Sequence, residues 1–186
     1  MPPPGKDFWP GLFYFLARFE KEAPALNLTA CKDMKDLLLG PVAEALFLAH
    51  HLPQGAKGVD LGSGAGIPGL IVKLARKDLN LYLVEAVKKR VDFMNQIIAF
   101  LGLRGVSARV CHVGFEDCRL RAQVALGRGY GAVEKFVQHA VKHFGVNRAF
   151  YLFRFGVEPW RKRDLPLSLL KEIPVSGHQV RLLIFG

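Results

Sequence analysis

The chain is poor in cysteine, lacks long hydrophobic runs and is short of negative charge. Its three cysteines, Cys31, Cys111 and Cys118, are odd in number and show no C-x-x-C spacing. That argues against a disulfide framework or a zinc site, and for small buried or half-exposed thiols. No run of about eighteen apolar residues is present, so no membrane-spanning helix is predicted. The opening MPPPGKDFWP lacks the pattern of a secretory signal. A soluble, cytoplasmic protein with no membrane partner is expected. With 51% hydrophobic residues and no low-complexity tract or internal repeat, a disordered chain is excluded. A length of 186 residues suits one compact domain with a good core. Against 26 Lys and Arg stand only 16 Asp and Glu, a net charge of +10. A small neutral metabolite does not need that balance. A polyanion would be attracted and steered by it, although a basic surface serving solubility gives the same sum.

What is present falls into two parts. Residues 1–7 read as a frayed leader. Leu12, Phe13, Phe15, Leu16 and Phe19 then recur at helical spacing, predicting an amphipathic helix over 8–22 that ends near Pro24. Its aromatics are read as core packing rather than as a base-stacking platform. A second helix is predicted over 34–51, kinked or split at Pro41. Residues 1–54 are therefore read as a helical extension packed on a core formed by residues 55–186. In that core, strands over 58–61, 79–84, 106–112, 123–126 and 148–153 alternate with helices over 67–76, 87–101 and 132–144. The pattern is that of an open, mostly parallel α/β sheet with helices on both faces. Ser176-Gly177 separates two extended apolar runs, 167–174 and 179–185, and predicts a terminal hairpin.

The core is organised around KGVDLGSGAGIPGL, residues 57–70. A buried strand leads into Gly62, Gly64 and Gly66, which let the backbone bend and approach a ligand with no Cβ in the way. A helix follows, with Pro68 suited to its first turn, and its N-terminal N–H groups are open to polar or anionic atoms. A phosphate-binding P-loop is excluded, because no Lys followed by Ser or Thr closes the glycine run. A dinucleotide fingerprint is matched only by Gly64–Gly69, too far from the strand. The better parse is Asp60 followed by Gly62, Ser63, Gly64 and Gly66. An acid at a strand tip is awkward beside a pyrophosphate but useful beside the sulfonium and ammonium of S-adenosylmethionine. Glu85, about twenty residues on, ends the second strand where a carboxylate can accept from both ribose hydroxyls. S-adenosylmethionine is the cofactor favoured; a dinucleotide, or a turn without ligand, are the alternatives.

Asn27-Leu28-Thr29, VDLGSGAGIPG, LVEAVKKRVDFM and Val133-Glu134-Lys135-Phe136 together resemble the RsmG (GidB) family, methyltransferases acting on N7 of a guanine in small-subunit (16S) ribosomal RNA. The resemblance implies a class I, Rossmann-like S-adenosylmethionine-dependent methyltransferase fold. Its seven-stranded sheet would have the order 3-2-1-4-5-7-6, the final hairpin inserting one antiparallel strand. By position it also implies that Gly62, Ser63, Gly64 and Gly66 line the cofactor loop and that Glu85 takes the ribose. Phe115 and Glu116 would read the adenine, and Arg128 would lie at the catalytic face and against the cofactor. The chain departs from the family in several places. Pro41-Val42-Ala43-Glu44-Ala45 stands where a histidine and an Asp-Ser pair are usual, Gly114 replaces an arginine, and Arg154 stands near the usual strand-end lysine.

Methylation of N7 uses a ring lone pair that carries no proton, so positioning and desolvation matter more than a general base. No Asn/Asp-Pro-Pro-aromatic motif is present to grip an exocyclic amine. Arg128 is the candidate for substrate contact, since its planar fork can bond O6 or a phosphate; a surface or helix-capping role is the alternative. Lys88, Lys89 and Arg90 at a helix start, Arg154, and Arg161, Lys162 and Arg163 after Trp160 are candidates for RNA phosphates, or else solvated surface. His139 and His143 have a spacing that two metal ligands could use, but no third ligand is evident and no metal is expected. His50 and His51 read as the end of a helix. The expected partner is 16S rRNA or the small ribosomal subunit, bound by a monomer. A methyltransferase with another RNA or small-molecule acceptor, and a cofactor-binding ribosome-assembly protein without catalysis, are the competing readings. If the +10 charge serves RNA, binding measured by filter retention falls steeply as salt rises; a flat salt response would favour a small acceptor.

Overall fold

Seven strands form one sheet in the order β3-β2-β1-β4-β5-β7-β6. They are β1 (Lys57–Leu61), β2 (Asn80–Glu85), β3 (Val106–Val110), β4 (Val124–Arg128), β5 (Ala149–Phe155), β6 (Leu169–Val175) and β7 (Val180–Phe185). This computed structural model describes residues 6–27, 33–113, 118, 120–155, 169–175 and 180–185. Strands β1 to β5 pair in parallel, and β7 enters antiparallel between β5 and β6. The order and the antiparallel hairpin are those expected; its turn at Ser176-Gly177 lies outside the described residues. The central strands are buried on both faces, which is why they read as unbroken apolar runs. Strand order reverses between β1 and β4, and open α/β sheets bind ligands at such a switch point, beyond the carboxyl ends of the strands.

Helix α1 (Phe8–Glu22) has the predicted bounds. The predicted helix 34–51 is neither broken nor sharply divided. Helix α2 (Met34–Leu37) runs through one π turn, Leu38–Val42, into α3 (Ala43–His51). Pro41 sits inside that wider turn, which accommodates a residue with no N–H to give. Asp33 caps α2, its Oδ1 accepting from the Asp36 N–H at 2.8 Å. Helix α4 (Gly69–Ala75) starts two residues later than the spacing suggested; α5 (Lys88–Phe100) and α6 (Val133–Phe144) follow.

Two apolar layers cover the sheet. One combines Phe8, Leu12 and Phe15 of α1 and Leu48 of α3 with Ile71, Leu83, Phe93 and Ile97. The other packs Phe136, Val137 and Phe144 of α6 on Val59, Leu61, Phe150 and Leu152. Residues of α1 thus belong to the same cluster as the sheet, and Phe8 and Phe15 are core, as read from their spacing. Phe13 is not: it is 64% exposed beside Trp9 at 54%. Polar ties add to the packing. Arg76 donates to the carbonyls of Ala49 and Leu52 at 2.8 and 3.1 Å, and the Tyr151 hydroxyl donates to His51 O at 3.1 Å. The expectation of free thiols is corrected at Cys111 and Cys118, which form a disulfide with Cα atoms 5.9 Å apart. Spacing rules look for motifs and do not see two residues that only the tertiary fold brings together. Cys31 lies outside the described residues.

Phe15 is fully buried in the shared cluster. Phe15→Ala is expected to lower the free energy of unfolding by about 3–5 kcal/mol in a urea titration. The chain should still unfold in one transition; a separate early loss of α1 would show that the helix is an independent unit.

Candidate cofactor and substrate site

The turn from β1 to α4 is held in a shape that side chains rarely tolerate. Gly62, Gly64 and Gly66 have φ of 70, 58 and 97°. The N–H groups of Gly62 and Ser63 both donate to Val84 O, at 2.8 and 3.1 Å, laying the turn across the end of β2. Gly69 lets α4 approach the sheet, since a Cβ there would lie 2.3 Å from Leu83 Cδ2 and 2.6 Å from Asp60 Oδ2.

Two carboxylates from adjacent strands fasten this turn. Asp60 is wholly buried, and its Oδ2 accepts from the Gly69 N–H at 3.0 Å. Its Oδ1 has no hydrogen-bond partner among the described residues. Burial pushes the carboxyl up to about 7, with the nearby Glu85 charge adding and the Gly69 N–H opposing. Asp60 is therefore turned under the loop as a brace, rather than standing open at the strand tip. The Ser63 hydroxyl is likewise turned inward and donates to Asp60 O at 2.9 Å. Glu85, also buried, accepts from the Gly64 N–H through Oε2 and from the Val87 N–H through Oε1, each at 3.0 Å. A carboxylate has about four lone-pair sites, so Glu85 retains acceptor capacity at the mouth of the loop.

Arg128 ends β4, next to β1 on the side opposite β2. Its Nε donates to Glu44 Oε2 at 2.7 Å, and Glu44 is only 2% exposed. In the sequence Glu44 shows only as part of a departure from a family pattern; nothing local marks it as a partner for a residue 84 positions away. Tyr130 is likewise without a sequence signal. Its ring comes within 3.2 Å of where a Cβ on Gly62 would be, and its hydroxyl shares a 2.8 Å hydrogen bond with His139 Nδ1. Burial raises the Tyr130 phenol; burial, then His143, Lys135 and Lys142, lower His139. His143 stands with its ring 5.6 Å from that of His139. Among the described residues no cluster of three His, Cys, Asp or Glu side chains could hold a metal.

The cations after β2 divide. Lys88 is exposed and pairs with Asp92 at 2.6 Å. Lys89 donates to Ala25 O, while Arg90 donates to Leu26 O and Asn27 O, each at 3.1 Å, and lies 3.7 Å from Glu85. Lys89 and Arg90 thus fasten the end of the first helical segment to α5. Arg154 lies in β5 with its backbone opposite Arg181. Phe115, Glu116, Arg161, Lys162 and Arg163 lie outside the described residues.

Residues 12–164 match the GidB family model, described as rRNA small subunit methyltransferase G. Among curated proteins the chain is similar to the ribosomal RNA small subunit methyltransferase G of Moorella thermoacetica, with 35% identity over 122 residues, covering 62% of this chain and 51% of that one. It is also similar to that of Chromobacterium violaceum, with 27% identity over 180 residues, 91% of this chain and 86% of the other. The chain thus spans about half the length of the first of these relatives. Among solved structures, a SAM dependent methyltransferase from Aquifex aeolicus superposes with a TM-score of 0.62 at 13% identity, over 91% of this chain and 97% of that one. Coclaurine N-methyltransferase, bound to N-methylheliamine and SAH, gives 0.57 at 11% identity over 78% and 52%. The fold is that of the Rossmann-like methyltransferases.

The buried Asp60 carboxyl sets a pH dependence. Between its ordinary value of 3.8 and its folded value of about 7, the folded chain holds a proton that the unfolded chain has released. Its contribution to stability therefore falls as pH rises through that window and levels off above it. Asp60→Asn, which keeps an acceptor for Gly69, is expected to lose this slope when melting temperature is followed from pH 4.5 to about 8. Parallel curves for the two proteins would refute the raised value.

Proposed function

The chain belongs to the GidB family of rRNA small subunit methyltransferase G proteins, and on that premise we propose that it transfers a methyl group from S-adenosylmethionine to N7 of a guanine in 16S rRNA. The observation that carries this reading is the convergence of three adjacent strand ends. Strand β2 ends in Glu85, β1 runs into the glycine turn over Asp60, and β4 ends in Arg128. The residues suit the cofactor. The unpartnered Oδ1 of Asp60 is a buried acceptor that gains from a neighbouring cation, and Glu85 has lone pairs left for vicinal hydroxyls.

When bound, S-adenosylmethionine supplies an electrophilic methyl group on a sulfonium. In this reading Glu85 accepts from the ribose and Gly62, Ser63, Gly64 and Gly66 present backbone to the cofactor. Asp60 braces the turn and favours positive charge near it, and Phe115 and Glu116 read the adenine. Arg128 contacts O6 of the target guanine or an adjacent phosphate. No residue has to remove a proton, because the attacking lone pair carries none. Exposed Lys88 and Lys89, together with Arg154, Arg161, Lys162 and Arg163, would meet RNA phosphates, Lys88 and Lys89 with the N–H groups left over from Asp92 and Ala25 O. The partner is 16S rRNA or the small ribosomal subunit, met in the cytoplasm by a monomer. No helix among the described residues is long and apolar enough to cross a membrane.

Methyl transfer to naked 16S rRNA and to assembled small subunits, with the modified base mapped, tests the proposal. Wild-type protein should produce 7-methylguanosine at one position. Gly64→Asp places a side chain at φ 58° and a second charge beside Glu85, and should abolish calorimetric binding of S-adenosylmethionine. Arg128→Ala should keep that binding and lose about 100-fold in turnover, the scale of a lost positioning contact. Cofactor binding by wild type with no methylated RNA would favour an assembly role instead.

A further inference from the structure

We propose that Glu44 is a positioning residue for the methyl transfer: its buried carboxylate grips Arg128 at Nε and sets the orientation of the guanidinium at the catalytic face. The inference rests on the function proposed above. It starts from a contact that fold stability does not account for. Glu44 and Arg128 belong to α3 and β4, 84 residues apart, and meet at 2.7 Å with side chains 2% and 17% exposed. An ion pair so far from water loses much of its Coulombic gain to desolvation, and an apolar pair of similar volume would serve the core as well or better. An orientation role gives the buried charge a purpose.

The place of the pair supports that role. In the ladder between β1 and β4, Asp60 lies opposite Leu126. Arg128, two residues on, therefore reaches the level of Gly62, the first residue of the glycine turn. Glu44 comes in from α3 just after the π turn, between buried Val42 and Ala45. A guanidinium is planar, so gripping it at Nε restricts the plane in which the whole fork lies. Bidentate or edge-on recognition of a purine depends on that plane.

The charge of Glu44 also suits the reaction. The N7 lone pair forms the new bond to the methyl carbon while the carbon–sulfur bonding pair returns to sulfur. The positive charge moves from sulfur to the purine, and no proton is released. An isolated guanidinium at O6 would oppose the arrival of that charge. A guanidinium held by a carboxylate opposes it far less.

Three variants test this: Glu44→Gln, Glu44→Asp, and Glu44→Gln combined with Arg128→Ala. Glu44→Gln should leave S-adenosylmethionine affinity within about twofold by calorimetry, since the carboxylate's bond is to Arg128, and reduce kcat on rRNA about 10- to 100-fold. Glu44→Asp should recover part of the loss. In the Arg128→Ala background Glu44→Gln should cost nothing more, because its effect passes through the arginine. The Arg128 Nε–H resonance, slow to exchange in wild type, should become fast in Glu44→Gln; this reading needs no catalysis. A Glu44→Gln enzyme with wild-type kcat, or with equal losses in both backgrounds, would overturn the inference. A wild-type protein inactive on every guanine N7 would overturn the proposed function instead.

Discussion

Two carboxylates, one from each of two neighbouring parallel strands, hold the glycine turn in its shape. Asp60 reaches forward to the Gly69 N–H at the start of α4, and Glu85 reaches sideways to the Gly64 N–H inside the turn. Hydrogen bonds to these carboxyl oxygens hold the two backbone amides in place. They fix a run with three positive φ values that glycine alone would leave free to move. The arrangement has a cost, visible in the Asp60 carboxyl raised to about 7 and in its unpartnered Oδ1. A group kept in that condition is relieved by a cation brought near it, which suits the turn to a cationic ligand.

The helical segment before the sheet cannot be separated from this centre. Arg76 of the α4–β2 turn caps carbonyls at the end of α3, Arg90 holds Leu26 and Asn27, and Glu44 takes Arg128. Arg90 also lies 3.7 Å from Glu85. One contact network thus joins the end of the first helical segment, the Glu85 carboxylate and the glycine turn. A displacement of residues 25–27 would reach Glu85 through a single side chain.

Patterns with short range were legible in the sequence. Apolar runs gave the strands, helical spacing gave α1 to the residue, and the run of alternating glycines gave the turn after β1. Pairings across long separations were not. Glu44 and Arg128, Tyr130 and Gly62, and Lys89 with Ala25 are set by how layers stack, and no periodicity encodes that. The direction of a side chain was equally hidden: Asp60 and Ser63 are where expected along the chain, yet both point under the turn. Cys111 and Cys118 escaped because their pairing follows no motif spacing, and Phe13 because a helical apolar stripe can be wider than the face that packs.

The net charge of +10 needs a similar distinction between field and contact. Several cations are occupied inside the fold. Lys73 is buried and bonds Lys77 O and Leu79 O, Arg76 bonds Asp78 and three carbonyls, and Lys89 and Arg90 bond the 25–27 segment. A cation that bonds a carbonyl keeps its charge, so it still adds to the long-range attraction of a polyanion. It has fewer N–H groups left for a phosphate, and those are fixed in direction. Steering and salt sensitivity therefore follow the total charge, whereas, on the function proposed above, selection of one nucleotide would depend on the few groups at the β4 edge of the crevice. There, on that proposal, a guanidinium bonded to a buried carboxylate would discriminate by its angle rather than by its charge.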